Sequence, residues 1–172
     1  HYRSTMDAMA QGTEDGLKIY LQILAMLIVM TSLMALANAI LGHLPDVGGA
    51  PLTLERMLGW LFAPFVWLLG VPASQAGAAG GLMGIKIILT ELVAYLRLAA
   101  LPAGTLDTRS TQIIVYSMCG FANFASVGIL IAGMSALIPD RRNEVVSLSL
   151  KALVAGTMAS GLSGAMIGLL PF

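Results

Sequence analysis

Long apolar runs divide this chain, and its polar positions fall either between the runs or, at two places, deep inside them. From Leu17 to Leu41 the only charge is Lys18, at the lip of the run, and the next charged position is Asp46. A long lysine side chain can reach the interface from such a lip. About 25 residues rising 1.5 Å each exceed a hydrocarbon core of roughly 30 Å, so the pattern predicts a tilted, lipid-facing scaffold helix over 17–41. Residues 52–70 read differently. Glu55 and Arg56 open that run, Pro64 interrupts it, and Trp60 and Trp67 flank it. The stretch free of charge is short for a crossing helix, and paired tryptophans suit the headgroup layer. An interfacial helix is expected over 52–70.

The run 72–101 opens with small residues, among them Ala76, Gly77, Gly80, Gly81 and Gly84. Small side chains let backbones approach closely in lipid, and clustered glycines permit a break in a helix. Lys86, Thr90 and Glu91 then interrupt the apolar pattern. Charge within a membrane segment is costly and by default marks a functional site. One reading has Lys86 and Glu91 neutralising each other. Helix neighbours lie three or four residues apart, however, and these are five apart. A chain that turns back near Glu91 would let both groups face a cavity, and ligand contact is the favoured role of Glu91.

From Ile113 to Ile138 there is no charge at all, yet Ser117, Cys119, Gly120, Asn123, Ser126 and Gly128 crowd its middle. An asparagine amide at membrane depth has donors and an acceptor that hydrocarbon cannot satisfy. It must meet another helix, a wet cavity or a polar ligand. The remaining segments read as scaffolding around this polar centre. In the last run, 145–172, Gly156, Ser160, Gly164 and Gly168 recur every four residues. Such a groove suits tight helix packing, with a sliding surface as the alternative.

The connections are 42–51, rich in Gly and Pro, then 101–110, then the charged 139–144. Arg141 and Arg142 place the last of these on the cytoplasmic side. Residues 1–16 are polar and irregular, without the pattern of a signal peptide. They read as a frayed segment, and the absence of Met at position 1 suggests that residues precede it.

Composition settles the class. Of the residues, 58% are hydrophobic and 10% charged, whereas a soluble domain carries about 25% charged residues. The chain is expected to be an all-α integral membrane protein. Its acidic and basic residues number nine each, a balance that gives no hint of nucleic acid. A single cysteine, Cys119, excludes an internal disulfide and a multi-cysteine metal site. His1 and His43 have no partner at ligand spacing, and phosphate loops and nucleophile elbows are absent. Nothing points to an enzyme, a resident metal or a cofactor.

Several blocks together carry a resemblance. Cys119-Gly-Phe-Ala-Asn123-Phe-Ala-Ser126-Val-Gly128, the Pro139-Asp-Arg-Arg142 loop and Lys151-Ala-Leu-Val-Ala-Gly-Thr157 resemble the C-terminal part of concentrative nucleoside transporters. So do Gly59-Trp-Leu-Phe-Ala-Pro64, Gly70-Val-Pro72, Thr90-Glu-Leu-Val-Ala-Tyr95 and the opening Asp15-Gly-Leu-Lys18. The blocks occur in order over nearly the whole chain. The resemblance implies a multi-pass importer of nucleosides such as uridine in a bacterial plasma membrane. It would be coupled to Na+ or H+ and work as a homotrimer by alternating access.

Each subunit of such an importer combines two inverted repeats of a re-entrant hairpin and a broken helix. This chain would supply the second repeat, with the hairpin over 72–101 and the broken helix over 111–138. The resemblance assigns Glu91, Asn123 and Ser126 to the ribose hydroxyls and packs Phe121 at the substrate. Such contacts make chemical sense, because a carboxylate accepts two hydroxyl hydrogen bonds and an amide both donates and accepts. Thr90 departs from the usual Asn, and Ala125 from the usual Ser. The base-reading hairpin by the sodium site has no counterpart here and belongs to an upstream half. The alternative is a non-transporting scaffold or accessory subunit of the same origin. The joint presence of Glu91, Asn123 and Ser126 argues against it.

Overall fold

The computed structural model describes residues 4–171, apart from the side chains at 19, 22, 23, 26, 27, 30, 132 and 135–137. The outermost positions of the 1–16 and 145–172 stretches lie outside the described residues. The elements in order are α1 (Thr5–Leu41), α2 (Leu54–Leu68), α3 (Ala73–Ile88), α4 (Glu91–Ala99), α5 (Thr108–Met118), α6 (Phe124–Leu137) and α7 (Arg142–Ile167). A 3-10 turn, Pro139–Arg141, leads into α7. Among the described residues there is no strand, only an isolated bridge between Val47 and Ala50.

The expectation of a frayed start is corrected here, because α1 already begins at Thr5. Ser4, in extended backbone, accepts a hydrogen bond from the Asp7 N–H at 3.2 Å. Lys18 pairs with Glu14 one turn away at 2.7 Å. Polar residues that look irregular in sequence therefore form a capped, wetted helix surface. Farther along, Leu21, Ile28, Leu33 and Leu36 are all more than half exposed. The C-terminal end of α1 is pinned by Asn38, which donates to Glu55 at 2.9 Å and accepts from the Leu54 N–H at 2.7 Å.

Between α1 and α2 the chain reverses at Gly48 and Gly49, whose positive φ values of 64° and 77° suit a two-residue turn. The Arg56 guanidinium holds this loop through the carbonyls of Val47, Ala50 and Pro51. It also lies 5.4 Å over the Trp60 ring.

Helices α2 and α3 form a pair bent by 115°. Their contact is built from glycines. A Cβ on Gly59 would come 2.6 Å from the Gly77 carbonyl oxygen, and one on Gly80 would come 2.7 Å from the Gly59 oxygen. Side chains there would force the backbones apart. The core beneath holds Val66, Ala79, Met83, Ile113, Ile114 and Met118, all fully buried.

The Pro139–Ile167 segment is long and apolar enough to cross a bilayer on its own. Its glycines lie against other parts of the chain. Gly161 meets Phe65, Gly164 meets Ser117 and the Ile113 carbonyl, and Gly156 meets Ala122. Arg109 ties the same end together, donating to the Gly168 and Gly70 carbonyls at 2.8 and 2.9 Å. Asp107 caps α5 on the Ser110 N–H, which holds its carboxyl below the usual range, and exchanges hydrogen bonds with Gln75.

Candidate functional site

Two helix interruptions meet in the interior. The first is Leu89–Thr90, between α3 and α4. The second is 119–123, between α5 and α6. Both are written by N-cap residues placed inside apolar runs. Thr90 has extended backbone (φ −153°, ψ 162°) and accepts from the Val93 N–H. Asn123 has the same conformation (φ −146°, ψ 166°) and accepts from the Ser126 N–H at 2.8 Å. A short polar side chain that satisfies the first amides of a helix lets the helix begin there, even in a hydrophobic stretch. Thr90 departs from the usual Asn of the resembling motif, and here its hydroxyl caps α4.

The breaks are joined by side chains. The Asn123 amide donates to the Glu91 carboxylate at 3.0 Å, so one residue caps α6 and holds the first residue of α4. Asn123 is 2% exposed and Glu91 is partly buried. Lys86, fully buried on α3, donates to the Ala122 carbonyl at 3.0 Å. Among the described residues Lys86 and Glu91 form no ion pair within 4.0 Å, although Glu91 still acts on Lys86 through its charge. Each group instead takes one of two adjacent residues, Ala122 and Asn123, across the second break. One turn after Glu91, the Tyr95 hydroxyl donates to the Val115 carbonyl at 2.9 Å.

The electrostatic consequence follows from helix geometry. Helices α4 and α6 both start at this junction, and unsatisfied N–H groups give each start a partial positive charge. A carboxylate in the first turn of α4 is favourable there, and so is any electron-rich ligand oxygen. The junction therefore combines a charged acceptor, an amide and two helix starts, a set suited to a polyhydroxylated ligand.

Of the residues expected at the site, Glu91 and Asn123 are in direct contact, and Ser126 lies in the first turn of α6 with its N–H on Asn123. Phe121, in the second break, is 75% exposed. The reading of the residues did not assign Lys86 its carbonyl partner or Tyr95 its role. For Tyr95 the available signal was its spacing, four residues from Glu91 and hence on one helix face.

A stability test follows from the double use of Asn123. Asn123→Ser keeps a cap oxygen and loses the donor to Glu91, whereas Asn123→Ala loses both. The Ala variant should melt below the Ser variant by about 1 kcal/mol, the usual value of an N-cap. Equal thermal unfolding of the two in detergent would show that Asn123 does not cap α6.

With this geometry in place, comparison with known proteins is informative. Residues 1–168 match the family described as Na+ dependent nucleoside transporter C-terminus. The chain is 40% identical to an uncharacterized transporter, YutK, of Bacillus subtilis (strain 168), over 96% of this chain and 41% of that protein. It is 38% identical to the nucleoside permease NupC of Helicobacter pylori, again over 96% of this chain and 41% of the relative. Among solved structures, that of CNTnw in an inward-facing substrate-bound state superposes with a TM-score of 0.87 at 38% identity, covering 98% of this chain and 42% of that one. The chain thus spans about two fifths of the length of these relatives. The family consists of membrane transporters rather than enzymes. A match over nearly every residue, in sequence and in fold, makes this chain a member of the Na+ dependent nucleoside transporter C-terminus family, the C-terminal domain of a concentrative nucleoside transporter homologue.

Proposed function

We propose that this chain supplies the ribose-binding half of the substrate site in a cation-coupled nucleoside importer. The observation that carries this reading is the contact between Glu91 and Asn123, from two separate helix breaks, at 3.0 Å. In this reading the carboxylate accepts from ribose hydroxyls, and the Asn123 amide and Ser126 hydroxyl complete the ribose contacts. Phe121, exposed beside them, supplies an apolar face for the substrate. The α3–α4 pair acts as the re-entrant hairpin, and α5–α6 is the broken helix. Substrate sites formed by broken helices near mid-membrane are a recurrent device of transporters.

The upstream half reads the base and holds the coupling cation, and the whole assembles as a trimer. The family description favours sodium as that cation. The loaded hairpin and broken helix move together against a static scaffold, exposing the site alternately to each side of a bacterial inner membrane.

The test is uptake of labelled uridine by the chain joined to its natural upstream sequence, in proteoliposomes under an imposed sodium or proton gradient. Saturable, gradient-driven uptake is expected. A uridine analogue lacking both the 2′ and 3′ hydroxyls should compete at least about tenfold more weakly than uridine, since hydrogen bonds to a charged group are worth about 1.5–3 kcal/mol. Equal competition by the two would defeat the ribose assignment. Absence of uptake under either gradient would favour the scaffold reading.

A further inference from the structure

The buried ammonium of Lys86 has a role that the ribose site does not use directly. Among the described residues the ion pairs are Lys18–Glu14, Arg97–Glu55 and Arg141–Glu144, so Lys86 has no carboxylate within 4.0 Å. Yet it is fully buried on α3. Desolvating an ammonium costs several kcal/mol, and a methionine would fill similar space without that penalty. The nearby Glu91 charge offsets part of that cost, and the ammonium in addition makes a hydrogen bond that a methionine could not.

What it does follows from the hydrogen bonds at the second break. In an uninterrupted helix the Ser126 N–H would donate to the carbonyl four residues earlier, that of Ala122. Here the Ser126 N–H donates instead to the Asn123 side chain at 2.8 Å. The Ala122 carbonyl, deprived of its helical donor, receives Lys86 Nζ at 3.0 Å. One helical hydrogen bond has been exchanged for two side-chain ones. A part-buried carbonyl left without a donor would cost free energy, so seating Lys86 on it stabilises the break. The Ala122 carbonyl also belongs to the peptide unit that leads into Asn123. Fixing its direction fixes the extended backbone from which Asn123 reaches both the Ser126 N–H and Glu91.

We infer that Lys86 is a positioning residue for the substrate site: its ammonium takes the place of the Ser126 N–H on the Ala122 carbonyl, and so keeps the helix open with Asn123 aimed at Glu91. This inference rests on the ribose-site reading above. It assigns Lys86 no contact with substrate.

The experiment is a double-mutant cycle on uridine Kd in the full-length transporter, with Lys86→Met, Asn123→Ser, the double variant and Glu91→Gln. Lys86→Met alone should weaken uridine binding about tenfold or more, but less than about threefold in the Asn123→Ser background, because coupled residues are non-additive. Equal losses in the two backgrounds would overturn the inference, since a residue that merely fills the core acts independently of Asn123. Lys86→Gln, which keeps one N–H donor, should recover part of the affinity lost in Lys86→Met. If neither Lys86 variant yields folded protein, the role is purely structural and the inference fails. The Glu91→Gln control separates the two readings. If it leaves Kd unchanged, both the ribose site and this inference fall. If it weakens binding while the cycle is additive, only the role of Lys86 falls.

Discussion

Replacing Glu91 by Gln in the full-length transporter should weaken uridine binding by about 10- to 150-fold, the equivalent of one charge-assisted hydrogen bond of about 1.5–3 kcal/mol. The fold should lose less than binding does. Gln is the same length, and its carbonyl oxygen can still accept from the Asn123 amide, which lies 3.0 Å from the Glu91 carboxylate. What disappears is the negative charge. That charge strengthens hydroxyl contacts, acts on the buried Lys86, and interacts with the start of α4, the last worth only about 0.3–1 kcal/mol. Binding and stability should therefore separate. Isothermal titration of uridine beside a thermal unfolding curve measures both on one preparation. A variant that binds as tightly as the parent would remove Glu91 from the ribose site. A variant that binds weakly only because it unfolds would make Glu91 a structural residue.

The second large effect concerns packing. Gly80→Ala should destabilise the protein by about 1–3 kcal/mol, the usual cost of forcing atoms into a filled core. Against this stands the helix propensity of alanine over glycine, about 1 kcal/mol in favour of the variant. The geometry decides the sign. A Cβ at Gly80 would sit 2.7 Å from the Gly59 oxygen, 2.8 Å from the Ala63 nitrogen and 3.0 Å from the Phe62 carbonyl carbon. All three are backbone atoms, so no rotamer change can relieve the overlap. The remedy is to separate α2 from α3, which exposes the core beneath. Gly12→Ala, where nothing lies within 4 Å, is the matched control and should be neutral or mildly stabilising. A Gly80→Ala protein that melts with the parent would mean that α2 and α3 do not pack at this distance.

These two predictions differ in how far the sequence alone could reach them. Glu91 stands out in the sequence because a carboxylate inside an apolar run has no inexpensive explanation. Asn123 was legible for the same reason. The spacing of Gly156, Ser160, Gly164 and Gly168 announced a helix face without bulk, since a four-residue period keeps one side of a helix in register. What that face touches could not be read. It is covered by Ser117, Ile113 and Ala122, residues of α5 and of the break that follows it. The polar start of α1 was misjudged, because Ser4, Glu14 and Lys18 declare a helix only when their local hydrogen bonds are counted together.

By itself, then, the sequence determined the class of solvent, the helical periods and the polar positions that hydrocarbon would not tolerate. Each of these depends on a residue and its near neighbours. Only the tertiary structure decided which polar group answers which. Asn123 and Glu91 stand 32 positions apart, and Lys86 and Ala122 stand 36 apart. Their pairing requires the chain to break twice and bring the breaks together. The expectation that Lys86 and Glu91 might pair with each other was reasonable in one dimension. In three dimensions they interact only at a distance, because Asn123 takes the Ser126 N–H for its cap and leaves the Ala122 carbonyl free for Lys86. Hydrogen-bond satisfaction in a buried junction is a property of the whole junction, and no local pattern in the chain encodes it.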